Sequence, residues 1–154
     1  MPKMDRDTLR ARLAETPGLL AGAAAAEHAC PDGEWSAIEV VRHLIGVEEE
    51  VWLTRLRQVA EESNPSWTWT EPGLGDGEGM SLDMLLALFR YRRRRTLDWL
   101  DGLDDAGWHR VGTHAIYGQL DIIGLMEIAL DHDMNHLARL KRQPGPPVRP
   151  EQEP

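Results

Sequence analysis

The chain is short of cysteine. Cys30 is its only one, which excludes an internal disulfide and fits a reducing compartment. Basic residues are in deficit as well: 17 Lys and Arg stand against 26 Asp and Glu, a formal charge of −9. That balance argues against nucleic acid or an anionic membrane surface as the main partner. No apolar run approaches the roughly 18 residues a membrane span needs, and the N-terminal MPKMDRDTLR carries no signal-peptide core. The expectation is a cytoplasmic protein with a small-molecule substrate, no nucleic acid and no membrane. Convincing strand patterns are missing too.

What is present has helical period. Residues 5–27 are rich in Leu, Ala and Arg, all strong helix formers. Pro17 is expected to kink that helix or restart it, with Thr16 as cap. Ser36, followed three residues later by Glu39, forms a capping box that opens a second helix over about 36–62. Residues 63–80 hold two Pro, several Gly, Trp67 and Trp69, and predict a long functional loop with the two indoles as one wall of a pocket. Ser81 caps a third helix over 82–101, with Met80 stapled onto Leu85. Residues 102–120 form an irregular connection with a short helical turn near Asp104 and Trp108. A fourth helix covers about 121–142. The predicted fold class is all-α, a four-helix bundle of helices about 30 Å long, in a single domain over 1–142. The Pro-rich segment 143–154 reads as a disordered tail. The basic run from Arg92 to Arg95 reads as a solvated helix face.

The stretch LDHDMNHLARLKR, residues 130–142, places His132 and His136 four apart. The spacing alone is weak evidence, because six histidines produce it in roughly one shuffled sequence in five. Position strengthens it. With His132 at 0° and a step of about 100° per residue, His136 falls near 40°, beside Leu125 and Ala129 and inside the buried arc. Both imidazoles then reach one ion at about 2.1 Å. On the second helix His43 occupies a similar edge, flanked by Val40, Val47 and Val51. Three imidazoles from two facing helices leave an open position, as a catalytic metal requires. The competing reading is three core histidines satisfied by carboxylates and backbone. A zincin is excluded because HDMNH lacks the Glu base, and Asp133 projects near 100°, away from the metal side. A di-iron bundle is excluded because the chain contains no Glu-x-x-His.

The segments GEWSAIEVVRHLIGVEEEVW (33–52) and YGQLDIIGLMEIALDHDMNHLARLKR (117–142), with RRRRTLDWLDGLDDAGWHR (92–110) between them, resemble the DinB/YfiT-like superfamily. The resemblance covers about residues 5–142. It implies a four-helix bundle with metal ligands His43, His132 and His136, and zinc, nickel, iron or manganese as the ion. It also implies either transfer of a low-molecular-weight thiol or hydrolysis. Glu39 and Asp131 are the candidate bases for hydrolysis, or orienters of an imidazole. Arg139, one turn beyond His136, is a candidate for binding an anionic thiol cofactor, against the plainer reading of a surface ion pair. A third reading is a non-catalytic metal-binding module that forms a homodimer through faces bearing Trp52, Trp99 and Trp108. His109 and His114 are candidates for extra ligands or acid–base groups. Cys30 has no basic neighbour to lower its pKa and is not assigned a catalytic role.

Overall fold

The computed structural model describes residues 3–25, 33–70 and 72–141. The readings made for the end of the first helix at 26–27, for Cys30, for the last residue of the fourth helix and for the 143–154 tail fall outside them. Four long helical rods dominate: α1 (Arg6–Ala25), the rod formed by α2 (Ala37–Val47) running into α3 (Thr54–Glu61), α4 (Leu82–Asp101) and α6 (Ile122–Lys141). A short α5 (Asp105–Trp108) fills the second connection. Among the described residues no helix is long and apolar enough to cross a membrane.

The caps are those that the side chains favour. Ser36 accepts from the Glu39 amide and Glu39 accepts from the Ser36 amide, which closes the capping box. Ser81 accepts from the Met84 amide at the start of α4, and Asp104 from Gly107 at the start of α5.

Three features depart from the sequence expectations. The second rod is not uniformly α-helical: Glu48–Leu53 winds as a π-helical turn between α2 and α3. The connections are not wholly irregular either. They contribute β1 (Ser66–Trp67), β2 (Val111–His114) and β3 (Gly118–Asp121), in the order β1-β2-β3. β1 lies parallel to β2, with Trp67 opposite His114, and β2 is antiparallel to β3. Two connections far apart in sequence make this sheet, so no local pattern announces it. Third, α1 runs unbroken through Pro17.

Pro17 has no N–H, so the Leu13 carbonyl one turn earlier loses its helical donor. The Arg93 guanidinium fills the gap, with Nη1 donating to Leu13 O at 2.9 Å. Arg93 is therefore not part of a solvated face. It is 1% exposed, and its other nitrogens grip Glu48 at 2.8 and 2.9 Å and Asp133 at 2.9 Å. Consecutive helical residues diverge by about 100°, so a run of four arginines cannot share one face. Arg92 reaches Asp76, Arg94 pairs with Asp98 and Arg95 with Glu49, while Arg93 points inward.

Thr16, also buried, hydrogen-bonds the Asp133 carboxylate. Burial pushes the Asp133 carboxyl up to about 6, with Arg93 pulling the other way and Glu48 adding to the rise. Burial alone would lower the Arg93 guanidinium, but Asp133 and Glu48 outweigh it and hold it above its ordinary value.

The network forms a polar layer between two apolar clusters. One cluster holds Leu9, Leu13, Trp52, Leu97 and Leu125; the other holds Leu20, Val41, Phe89 and Leu137. On α1, α4 and α6 the polar residues Thr16, Arg93 and Asp133 sit in sequence between the two sets. Trp52 belongs to the core, and Trp99 and Trp108 pack against it. Trp52 is thus engaged within the core, while Trp99 and Trp108 stay half-buried.

Replacing Arg93 by Met strands two buried carboxylates and is expected to lower stability by about 3–5 kcal/mol. Chemical denaturation measures this. Replacing Arg93, Glu48 and Asp133 together by apolar residues of similar size should recover most of the loss.

Candidate metal centre

His43, His132 and His136 converge. Each offers one ring nitrogen, and the three nitrogens lie within 4.8 Å of one another. All three residues are at most 2% exposed. Ring centroids are 5.4 Å apart for His43–His132, 4.9 Å for His43–His136 and 4.7 Å for His132–His136. Tetrahedral ligands at about 2.1 Å from one ion stand about 3.4 Å apart, so side-chain rotations that draw the rings together close the set. Neutral imidazole nitrogens in a buried, compact trio match the donor chemistry of zinc, nickel, iron and manganese sites.

The convergence has local causes. On α6 the i, i+4 spacing stacks His132 and His136 one turn apart. Asp133 between them points the other way, held by Arg93 and Thr16. That pairing fixes the rotation of α6, so the histidine face turns toward α2.

His43 is oriented by the loop at 73–75. Its Nδ1 lies 3.3 Å from the Gly73 carbonyl, which favours a proton on Nδ1 and leaves Nε2 as the ligand atom. The loop is anchored to α2 by the Gly75 amide donating to Arg42 O at 2.9 Å and by Arg42 Nη2 donating to Gly75 O at 2.9 Å. Backbones touch here: a Cβ on Gly75 would stand 2.5 Å from Gly46 N. Only glycine permits that approach.

Two indoles frame the centre. Trp35 lies 4.7 Å from His43 and stacks on His136 at 6.1 Å. Trp52 presents its ring to His132 at 5.9 Å and 71°, from within the π-helical turn; such turns recur at functional sites. Beside Trp35, Glu34 pairs with Arg139 at 2.9 Å, with side chains 7% and 16% exposed. Arg139 is thus engaged in an ion pair, though a nearly buried one and not the surface pair of its plainer sequence reading.

The remaining candidates lie elsewhere. The Glu39 carboxylate closes the capping box. Asp131 is exposed, and so is His109, whose Nδ1 lies 2.7 Å from Asp105 O. His114 is buried, but in the sheet and outside the trio. Trp67 does not line a lid. It is 8% exposed, packs in the core and donates Nε1 to Gln58. Trp35 and Glu34 were legible only as neighbours of the Ser36 cap; their place at the site follows from the turn that leads into α2.

A helical bundle with a buried three-imidazole centre between two of its helices is the class that this fold and site define. The chain belongs to the DinB superfamily, which it matches over residues 6–140. Among solved structures it is similar to YfiT from Bacillus subtilis, described as a probable metal-dependent hydrolase with an unusual four-helix bundle topology. The two share 21% identity at a TM-score of 0.69, over 93% of this chain and 91% of that one. At that identity the likeness concerns the fold. No protein of curated function matches the sequence.

Gly75→Ala is expected to push the loop off α2 and withdraw the Gly73 carbonyl from His43. Loss of such an outer partner lowers metal affinity by about 10–100-fold. Competition with a chromogenic chelator reads this, with circular dichroism unchanged.

Proposed function

We propose that the chain is a divalent-metal-dependent enzyme whose ion is held by His43, His132 and His136, and that it activates a low-molecular-weight thiol for S-transfer to an electrophile. The compact buried trio carries this reading. A cation held there supplies Lewis acidity, lowering the pKa of a thiol or water placed at its remaining coordination position.

The chain's own residues do the rest. His43 is oriented by Gly73 O and by Trp35, and His132 is fixed in register through its neighbour Asp133. Trp35 and Trp52 keep the surroundings of the trio apolar, which strengthens electrostatic interactions inside and suits an apolar electrophile. The thiol reading draws support from the bases. Glu39 is engaged in its cap and Asp131 is exposed. Ionisation of a coordinated thiol requires neither.

Hydrolysis is the second reading, favoured by two observations. YfiT is described as a probable metal-dependent hydrolase, and Glu34 is a nearly buried carboxylate next in sequence to Trp35, the indole stacked on His136. A module that binds metal without turnover is the third. All three ligands come from one chain, so a homodimer is not required to complete the centre.

Two measurements separate the readings. Purified protein is expected to carry about one transition-metal ion per chain by elemental analysis, and alanine at any one of the three histidines should remove it. Thiol transfer predicts metal-dependent loss of free thiol with monochlorobimane across a panel of small thiols. Product from an ester or amide without added thiol assigns hydrolysis instead, and silence in both assays leaves the non-catalytic module.

A further inference from the structure

We propose that Arg55 and His114, where α3 meets the sheet, form a binding site for a small carboxylate. This site is distinct from the histidine trio and does not depend on an ion being held there.

Donors outnumber acceptors here. Arg55 is 6% exposed, and among the described residues no carboxylate pairs with it. Its guanidinium donates to one carbonyl, Thr68 O, through Nη2 at 3.1 Å. It otherwise lies against indole faces, 5.5 Å from Trp67 and 5.9 Å from Trp52. A guanidinium carries five N–H donors and a full positive charge. Burying a charge without a counterion is costly, and burial alone lowers the Arg55 pKa. The structure accepts that cost at a position where lysine, methionine or leucine would cover the same indoles.

His114 adds a second donor. It is 2% exposed, and its Nδ1 accepts the Ile116 amide at 3.0 Å. In the neutral ring the proton is then on Nε2, and that buried nitrogen has no hydrogen-bond partner. Burial, and Arg55 behind it, push the His114 pKa down. The ring therefore stays neutral at physiological pH and keeps the Nε2 proton available for donation.

Trp69 supplies a third donor, since its Nε1 is buried and also has no acceptor. Topology brings Arg55 and His114 together at the Trp67 ring, and Trp69 follows two residues along the same stretch. His114 is the register partner of Trp67, whose ring Arg55 covers, and Thr68, which holds Arg55, lies between Trp67 and Trp69. Tyr117 packs on His114 at 4.9 Å while 40% exposed, so the site lies just beneath the surface at the β2–β3 turn.

A positive charge and two N–H donors, with one carbonyl as acceptor, call for an anion with several lone pairs. A carboxylate fits, because a guanidinium engages both of its oxygens at once. The trio is one indole away: Trp52 contacts Arg55 on one side and His132 on the other. The carboxylate's source is either an acidic electrophile or an acidic thiol.

The test is a titration of the 15N-labelled full chain with sodium succinate, against succinamide at matched ionic strength, following the indole N–H signals. Trp69→Phe identifies the Trp69 signal. Succinate is expected to move that signal saturably and succinamide to leave it in place. Arg55→Met should weaken binding by at least about tenfold, the weight of a charge-assisted pair. If Arg55→Met fails to fold, His114→Phe should still weaken binding several-fold.

Metal-stripped protein should give the same titration, which separates this result from the fate of the metal reading. Propionate and 3-mercaptopropionate distinguish the sources. Equal affinities assign a substrate acid, and tighter binding of the mercapto acid confined to metal-loaded protein assigns a thiol cofactor. A Trp69 signal that succinate does not move, equal shifts with succinamide, or undiminished binding by Arg55→Met overturns the proposal. A site already filled by a carboxylate of the chain itself would give the first of these results.

Discussion

One buried guanidinium joins all four rods of this bundle. Arg93 belongs to α4, takes the Leu13 carbonyl of α1, grips Glu48 where α2 passes into its π-helical turn, and pairs with Asp133 on α6. In the low-dielectric core each of these contacts is directional, whereas apolar packing tolerates sliding and rotation. Two carboxylates share a single arginine, so the network has little slack: moving any helix by a turn leaves a charge alone in the interior. The histidine centre sits in the same polar layer and shares its two helices, so its geometry depends on that crosslink.

This layer explains how α6 serves two ends. Asp133 looks toward Arg93, while His132 and His136 look toward His43. Adjacent residues on a helix diverge by about 100°, so the sequence HDMNH places an anchor and two ligand candidates on neighbouring faces of one turn. Asp133, at the position where a zincin would carry its Glu, belongs instead to the crosslink. α2 is handled differently. His43 is oriented from outside the bundle, by a glycine loop lying directly on the helix backbone. One wall of the centre is thus rigid core and the other is a surface loop, the arrangement expected where a small molecule has to enter.

Much of this was legible in the sequence. Helix positions followed from period and caps: Ser36 with Glu39, and Ser81, cap as their side chains predict. The trio was legible because a single helix imposes the His132–His136 spacing, and because His43 lies on an apolar arc. Features that depend on contacts between distant segments were not. Arg93 looked like part of a charged surface run because its partners, Glu48, Asp133 and Leu13, come from three other elements. Pro17 read as a kink or a restart because the donor that rescues Leu13 comes from α4. β1 and β2 are distant in sequence, and two- and four-residue strands leave too little alternation to read. Arg55 and His114 are unremarkable in sequence, and only the burial of Arg55 without a carboxylate and of His114 Nε2 without an acceptor sets them apart.

The central claim is that one ring nitrogen from α2 and two from α6 share a cation. X-ray absorption at the metal edge of purified protein tests it most directly. The account predicts a first shell of three imidazole nitrogens near 2.0–2.1 Å, with the outer-shell scattering typical of histidine rings and room for one further light ligand. A shell without imidazole scattering, or one left unchanged when His43 is replaced by Ala, would contradict it.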